Sequence, residues 1–321
     1  MLIPKENEVV VKVKAIGVNP VETYIRSGKY ARSPSEFPYT PGQDCSGIVE
    51  SIGNKVTNIK KGDRVYTLRC LTGAYAEYTL ADSIYVYPIP SNINYAQAAA
   101  LPVPYYTAHR ALFLKNKLIP GQTILIHGAT GAVGIACCQM AKAAGCTVIG
   151  TTGSEQGKEL LKSYCDEVFF HRSITTNTNI TPSSSSLLDN ILQYTQGKGV
   201  NIIIEMLANE NLGLDLRMLS MNGTVIIIGS RGDTMITPRD LMSREATAMG
   251  IMLWNSTDND FLLSSNYIYH GLKNEFLKPI IGTIYNGLEK SSLAHDEVID
   301  HQGGSHGKII ISLEDNNSNN E

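Results

Sequence analysis

Residues 123–134 read TILIHGATGAVG, and this stretch decides the fold of the chain. An apolar run comes first, and a helical pattern follows from Val133 to Ala144. Between them stand glycines at intervals of three: Gly128, Gly131 and Gly134. Such a turn lets the backbone approach a pyrophosphate, and the helix N-terminus offers unpaired N–H groups. Since a second apolar strand follows at 147–150, the stretch predicts a dinucleotide site; a tight turn without a ligand is the alternative.

The surrounding pattern predicts two kinds of sheet. From Gly121 the chain alternates short apolar strands with helices, which is typical of a parallel, doubly wound α/β sheet of the Rossmann type. These predicted strands are 123–127, 147–150, 167–170, 200–205 and 224–229. Before Asn94, short strands are separated by glycine and proline turns, which predicts a small β barrel. Its predicted strands are 9–15, 46–52, 65–67 and 74–79, and 307–312 is expected to rejoin them.

The domain organisation follows from these patterns, because 321 residues suit two domains. We predict that residues 1–94 form the β-barrel domain and that 271–313 return to it. The dinucleotide-binding domain is expected over 95–270, beginning with two short helices. The Thr/Asn/Ser-rich segment 173–186 is expected to be a surface loop, and 314–321 a disordered tail.

Composition disfavours several classes of function. Hydrophobic residues make up 43% of the chain and charged residues 18%, and the net charge is −3, so neither nucleic acid nor an anionic membrane is the expected partner. The sequence shows no signal-peptide pattern and no run of about 20 apolar residues, which a membrane span needs. Six cysteines without a C-x-x-C pair indicate free thiols. We therefore expect a cytoplasmic protein.

The end of the second strand, Gly150-Thr151-Thr152-Gly153-Ser154, selects the cofactor. An NAD enzyme normally carries an acid here, which binds the ribose 2′-hydroxyl. No acid stands at this tip, and Ser154 and Lys158 are suited to receive a 2′-phosphate. NADPH is therefore favoured over NADH, although Glu155 lies one residue beyond. For Lys158, a solvated helix face is the alternative.

The sequence lacks the ligand set of a catalytic zinc, which is built from Cys, His and carboxylate side chains. Cys45 and Cys70 are isolated in the β domain, and the first histidine of the chain is His109. Three later histidines, His295, His301 and His306, are irregularly spaced with no cysteine nearby, which favours a polar loop. We predict no metal site. Without a Lewis acid, the acceptor must be easy to reduce, as quinones and activated double bonds are.

Several motifs resemble one known family along nearly the whole chain. They are GVNPVETYIRSG at 17–28, YTPG at 39–42, KGDRV at 61–65, GAYAEY at 73–78, IEMLAN at 204–209 and GSRG at 229–232. These segments are similar to the zinc-free, zeta-crystallin-like quinone reductases of the medium-chain dehydrogenase/reductase superfamily. In zinc-dependent members of that superfamily, the metal-binding Cys and His fall where this chain has Asn19 and Gln43.

The resemblance implies a GroES-like β-barrel catalytic domain and a Rossmann domain with a cleft between them. Members usually begin with a further strand pair, so we expect the β domain to lack its first strands. The resemblance implies NADPH contacts at Tyr24, Thr130, Gly131, Ala132, Val133, Gly153, His171, Asn211, Ile228, Gly229, Ser230, Arg231, Ile251, Met252 and Leu253. For His171, a strand-end histidine without a ligand is the alternative.

A mechanism follows from the resemblance. Asn19 and Tyr24 would donate hydrogen bonds to a quinone oxygen as negative charge develops there, and Tyr30 would line the pocket. Turn capping before Pro20 is the alternative for Asn19. The chain has sixteen tyrosines, so a structural role is the alternative for Tyr24 and Tyr30.

The expected activity is NADPH-dependent reduction of a quinone, by hydride or stepwise electron transfer. An enal or enone double-bond reductase is the alternative enzyme. A structural, crystallin-like protein or an RNA-binding protein that retains NADPH is the alternative of another class, although the net charge and the lack of a basic–aromatic stripe disfavour RNA. A homodimer or homotetramer is expected, with edge strands such as 225–228 pairing between subunits.

Overall fold

The computed structural model describes residues 2–30, 37–171, 186–300 and 304–314. These residues form two compact units. The first comprises 2–106, 257–300 and 306–314, and the second comprises 107–256 with 304 and 305. Most of the segment 173–186 and of the tail 314–321 lies outside the described residues. Among the described helices, none has the length and apolar character that crossing a membrane requires.

The strands and helices follow one another along the chain without a repeat. In the first half they are β1 (Glu8–Val18), α1 (Pro20–Arg26), β2 (Asp44–Ile52), β3 (Arg64–Thr67), β4 (Tyr78–Asp82), β5 (Val86–Pro88), α2 (Tyr95–Ala99), α3 (Pro102–His109), β6 (Thr123–Ile126), α4 (Ala132–Ala143), β7 (Thr147–Thr152), α5 (Glu155–Leu161) and β8 (Glu167–Phe170). In the second half they are α6 (Leu187–Tyr194), β9 (Val200–Glu205), α7 (Ala208–Met218), β10 (Leu219–Ile227), α8 (Pro238–Met242), β11 (Thr247–Gly250), α9 (Asp258–Lys273), β12 (Ile281–Asn286), α10 (Ser291–Asp300) and β13 (Lys308–Ser312).

The first unit is a seven-stranded sheet built around β1. The strand order is β12-β13-β1-β2-β3-β5, and β4 also pairs with β1. β1 is antiparallel to β2, β4 and β13, so the last strand rejoins the first part of the chain as expected. Val9 and Val11 of β1 enter one buried apolar cluster, while Val13 and Ile16 enter another. The long central strand is therefore fixed by apolar packing along its length.

One predicted strand of this unit is wrong in part. The alternation over 74–79 predicts a strand, but β4 begins only at Tyr78. The N–H groups of Ala74 and Tyr75 donate to the carbonyl of Pro41 at 2.9 and 3.0 Å, and the N–H of Ala76 donates to that of Ala74 at 2.8 Å. These short-range bonds form a turn, because local hydrogen bonding satisfies the backbone before a neighbouring strand does.

The second unit is a six-stranded parallel sheet in the order β11-β10-β9-β6-β7-β8. Counted from β6, this is the order 3-2-1-4-5-6 of doubly wound dinucleotide-binding folds, and the strand order reverses between β6 and β9. The predicted Rossmann fold class is confirmed. Buried apolar residues of β6, β7, β9 and β10 pack in one cluster with residues of α6 and α7. Each such side chain contributes about 1.5–3 kcal/mol on burial.

The expectation of subunit pairing through residues 225–228 is wrong. These residues belong largely to β10, which is hydrogen-bonded to β9 on one side and to β11 on the other. The backbone donors and acceptors of β10 are therefore used within the sheet.

The units also divide the chain differently from the predicted boundaries at 94/95 and 270/271. The segment 95–106 lies with the first unit, since the Tyr106 hydroxyl is 3.1 Å from that of Tyr66 and its ring packs on Tyr87. Phe261 of α9 packs on Tyr106 and on Tyr85, so the start of α9 belongs there too. Aromatic packing thus sets these boundaries, and the sequence pattern does not report it.

Candidate functional site

The glycine turn between β6 and α4 is tied to the neighbouring strand β7. Gly128 has a φ of +55°, and its N–H donates to Thr151 Oγ1 at 3.2 Å. A Cβ on Gly134 would lie 2.4 Å from the carbonyl oxygen of Gly128, so the turn and the helix can approach this closely only at a glycine. Gly131 is the N-cap of α4 and has no side chain to cap it. The N–H groups of the first turn are therefore oriented to bind an anion.

The residues predicted from the sequence to contact the cofactor in this unit follow strand ends of the same sheet. Because all six strands are parallel, these ends meet at one edge. The six sets come after β6, β7, β8, β9, β10 and β11, respectively. They are Gly128 and Thr130 to Gly134; Gly153, Ser154 and Lys158; His171; Asn211; Ile228 to Arg231; and Ile251 to Leu253.

The tips of β7 and β8 carry a cation and hydrogen-bonding groups where an acid would select NAD. The side chain of Ser154 caps α5, and its Oγ accepts from the N–H of Gly157 at 3.1 Å. Lys158 Nζ lies 5.3 Å from the ring centroid of Phe170. The ring of His171 packs over Gly153, since a Cβ there would be 3.1 Å from it. Glu155 is exposed at the first position of α5. These groups suit a phosphate oxygen.

Sequence reasoning missed a buried acid–base cluster beside the glycine turn. His127 Nε2 lies 2.8 Å from Asp215 Oδ1 and 3.7 Å from Glu205 Oε2. His127 Nδ1 lies 3.4 Å from Thr151 Oγ1, the atom that accepts from Gly128. Glu205 Oε1 accepts from the N–H of Leu207 and from Asn211 Nδ2. Asp215 was the signal available in the sequence, because it is an acid on the buried face of an otherwise packed helix.

The electrostatics of this cluster follow from its burial. Burial, and then the charge of Asp215, raise the pKa of Glu205 to about 7, although His127 opposes the shift. Burial alone would lower the pKa of His127, but the hydrogen bond to Asp215 and the two carboxylate charges together raise it. The cluster therefore favours an imidazolium beside carboxyl groups that resist full ionisation.

The first unit contains a second buried charged cluster, formed by Asn19, Glu22, Asp44 and Lys308. Asn19 Nδ2 donates to Asp44 Oδ2 at 2.8 Å and to Glu22 Oε1 at 3.2 Å, and Asn19 Oδ1 accepts from Lys308 Nζ. Lys308 Nζ also lies 3.3 Å from Asp44 Oδ2. Burial raises the pKa of Asp44 and lowers that of Lys308. Asn19 therefore joins three charged groups, and both polar atoms of its amide have protein partners.

Glu22 extends this cluster to an aromatic side chain. Its carboxylate accepts from the N–H groups of Asn19 and Gln43 at 3.2 and 3.3 Å, and from Tyr75 Oη at 2.9 Å. The Tyr75 hydroxyl in turn lies 3.0 Å from His295 Nε2. Burial, and then Asp44, raise the pKa of Glu22 to about 7. This cluster fixes the start of α1, since Asn19 and Glu22 form its capping box.

The predicted tyrosines Tyr24 and Tyr30 lie in and just after α1. Both side chains are half-buried. Within the described ranges, the Tyr24 hydroxyl makes no hydrogen bond, so it is available as a donor. The capped helix α1 fixes the backbone that carries Tyr24.

The comparisons with known proteins cover nearly the whole chain. Residues 5–91 match the alcohol dehydrogenase GroES-like domain, and residues 132–264 match the zinc-binding dehydrogenase family. The quinone oxidoreductase of Mus musculus is 46% identical over 97% of this chain and 91% of its own length. This chain is a member of the quinone oxidoreductase family. The predicted membership in the medium-chain dehydrogenase/reductase superfamily is thereby confirmed.

Solved structures agree with this assignment. The quinone oxidoreductase of Escherichia coli complexed with NADPH has a TM-score of 0.83 at 26% identity, covering 97% of this chain and 93% of its own. CurK enoyl reductase has the same TM-score at 23% identity, covering 97% and 92%, and that likeness shows the fold alone.

The zinc of the matched dehydrogenase family does not fit the donors of this quinone oxidoreductase family member. Asn19 and Gln43 stand at the positions of the zinc ligands, and amides are poor zinc ligands. Within the described ranges, one group of three ligand-type side chains comes together, namely His127, Glu205 and Asp215. Its 2.8 Å nitrogen–oxygen contact is a hydrogen bond, and it is shorter than the roughly 3.3 Å between two ligands of a tetrahedral zinc.

Proposed function

We propose that this chain catalyses NADPH-dependent reduction of quinones, by hydride or stepwise electron transfer and without zinc. One observation carries the proposal. In a member of the quinone oxidoreductase family, the strand edge at the topological switch point combines a glycine cradle with Lys158, Ser154 and His171 in the place of an acid. A cation with hydrogen-bond donors suits a 2′-phosphate, whereas an acid there would repel it.

The cradle supports a specific arrangement of NADPH. The N–H groups at the start of α4 would bind the pyrophosphate, and Lys158, Ser154 and His171 would bind the 2′-phosphate end. Asn211 and the segments 228–231 and 251–253 would position the remainder along the strand ends. Bound NADPH supplies the reducing equivalents, and the residues of this chain supply orientation and exclusion of water.

The first unit would supply the contact to the quinone. We infer that Tyr24 donates its hydroxyl proton in a hydrogen bond to a quinone oxygen as negative charge develops there. The proposed role of Asn19 changes, because its amide already bonds to Glu22, Asp44 and Lys308. Asn19 would position α1, and Tyr30 would line the pocket.

Two alternatives remain distinguishable by experiment. An enal or enone reductase would use the same cofactor edge, and the fold is shared with CurK enoyl reductase. A crystallin-like structural protein or an RNA-binding protein would keep NADPH binding without turnover. The family of the close relatives favours the quinone.

The test follows NADPH absorbance with 1,2-naphthoquinone, beside matched reactions with NADH and with an enal. We expect quinone-dependent oxidation of NADPH that a chelator does not inhibit. Faster turnover of the enal would favour the double-bond reductase. Binding of NADPH without turnover of either acceptor would favour the structural role. A salt-sensitive gel shift with RNA in the absence of NADPH would favour RNA binding.

We also propose that the protein is a cytoplasmic homo-oligomer, either a dimer or a tetramer. All six cysteines are buried and free, which suits a reducing compartment. Exposed methionines of the second unit, Met221, Met242 and Met252, suit an interface. Light scattering on the eluting protein would contradict this proposal if it gave the mass of one chain.

A further inference from the structure

The cluster of His127, Glu205 and Asp215 adjoins the glycine turn without belonging to the proposed NADPH contacts. The exposed fractions of the three residues are 4%, 0% and 0%. The residues come from three places, because His127 follows β6, Glu205 ends β9 and Asp215 lies in α7. The charged groups that act on Glu205 are His127 and Asp215, and β7 contributes the uncharged Thr151 to the cluster.

Two oxygens of this cluster have no hydrogen-bond partner. They are Glu205 Oε2 and Asp215 Oδ2, and both are fully buried. The other oxygen of each carboxyl group is used, since Glu205 Oε1 accepts from Leu207 and Asn211, and Asp215 Oδ1 bonds to His127. Two ionised carboxylates would leave both orphan oxygens unsatisfied and would repel each other.

A single proton resolves both problems. A protonated carboxyl group donates one hydrogen bond, and its neighbour accepts it. The two carboxyl groups lie close enough for this bond. With an imidazolium at His127, one carboxylate and one carboxylic acid, the buried cluster is neutral. Neutrality is what a low-dielectric interior favours.

We propose that Glu205 and Asp215 share one proton and, with His127, act as positioning residues for dinucleotide binding, so that loss of this proton weakens binding of NADPH. The inference rests on the proposed function, because it concerns the same cofactor edge.

Two chains of contacts connect the cluster to that edge. His127 reaches the N–H of Gly128 through Thr151 Oγ1, with distances of 3.4 and 3.2 Å. Glu205 holds the start of α7 through Leu207 and the predicted contact residue Asn211. Loss of the proton adds a negative charge beside a turn that must accept a pyrophosphate. Because the pKa of Glu205 is raised to about 7, the loss occurs as the pH rises through neutrality.

The variant Glu205→Gln tests the proposal, because its amide matches the protonated acid. The amide oxygen would accept from Leu207 and Asn211, and the NH2 group would face Asp215. We would measure the Kd of NADPH, and separately of NADH, from the fluorescence of the single tryptophan, Trp254, between about pH 6 and pH 9. NADH lacks the 2′-phosphate, so the titration of that phosphate cannot produce an effect that both cofactors share. Asp215→Asn is a second mimic, and Glu159→Gln on exposed α5 is the matched control.

For wild type and for Glu159→Gln, we expect the Kd of both cofactors to rise about three- to tenfold across this range. For Glu205→Gln and Asp215→Asn, we expect a Kd that stays near the low-pH value of the wild type. Equal pH profiles for wild type and both mimics would overturn the inference while leaving the proposed function intact. No NADPH binding at any pH would overturn both. One equivalent of bound zinc that is lost in Glu205→Gln would assign the cluster to a cation and also overturn the inference.

Discussion

The two units of this quinone oxidoreductase family member each bury charged side chains, but they satisfy them differently. In the first unit, every buried polar atom of Asn19, Glu22, Asp44 and Lys308 has a hydrogen-bond partner. In the second, Glu205 and Asp215 each leave one oxygen without a partner. The raised pKa values of Glu22 and Glu205, both about 7, do not distinguish the two clusters. Hydrogen-bond geometry does, and it indicates a structural lock in one unit and a proton-holding site in the other.

The largest expected effect comes from removing the cation of the first cluster. Lys308→Met leaves the carboxylates of Glu22 and Asp44 buried without their counter-charge, so we expect the free energy of unfolding in urea to fall by about 3–5 kcal/mol. Lys142→Met is the control, since the pair of Lys142 and Asp166 is partly exposed. It should cost less than about 1 kcal/mol. Similar losses for both variants would contradict the lock.

The next effect is on the glycine cradle. A Cβ on Gly134 would lie 2.4 Å from the carbonyl oxygen of Gly128, so Gly134→Ala must displace the turn. We expect the Kd of NADPH to rise by at least about tenfold, because the turn sets how closely the backbone approaches the pyrophosphate. Gly250→Ala is the control, since a Cβ at Gly250 meets nothing within 4 Å. An unchanged Kd for Gly134→Ala, measured by calorimetry, would locate the cofactor elsewhere.

The same substitution in the two clusters should have opposite effects. At about pH 8, Glu22→Gln turns an NH2 group toward the N–H of Asn19 or of Gln43, so we expect a loss of about 1–3 kcal/mol. Glu205→Gln replaces an orphan oxygen by a donor and removes a buried charge, so we expect a gain of up to about that size. Urea unfolding of both variants measures the difference. Equal losses would remove the contrast between the clusters.

The pH dependence of stability follows from the same residue. The folded-state pKa of Glu205 is raised from 4.5 to about 7, so the folded protein binds more protons than the unfolded chain within that window. The free energy of unfolding should therefore fall as the pH rises from 4.5 to about 7. Glu205→Gln should show a smaller fall than wild type in urea titrations, while Glu159→Gln should match wild type. A fall of equal size in Glu205→Gln would contradict this assignment.

Local sequence patterns predicted the fold and the cofactor edge well, because both depend on short-range signals. The glycine spacing at 128–134 and the apolar runs gave the parallel sheet, whose strand ends then meet at one edge. The turn at 74–77 and the packing of Tyr106 were missed, since each depends on partners distant in sequence. The two charged clusters were missed for the same reason: Lys308 meets Asp44, and His127 meets Asp215, only in the folded chain.

The most direct measurement is the ratio of the Kd values of NADH and NADPH, for wild type and for Lys158→Met. Lys158 is the cation at the tip that lacks an acid, so we expect wild type to bind NADPH more tightly. Lys158→Met should lose about tenfold in NADPH affinity with little change for NADH. Lys162→Met, just after the same helix, should keep the ratio of wild type. A wild-type ratio near one, or a ratio that Lys158→Met does not change, would contradict the account.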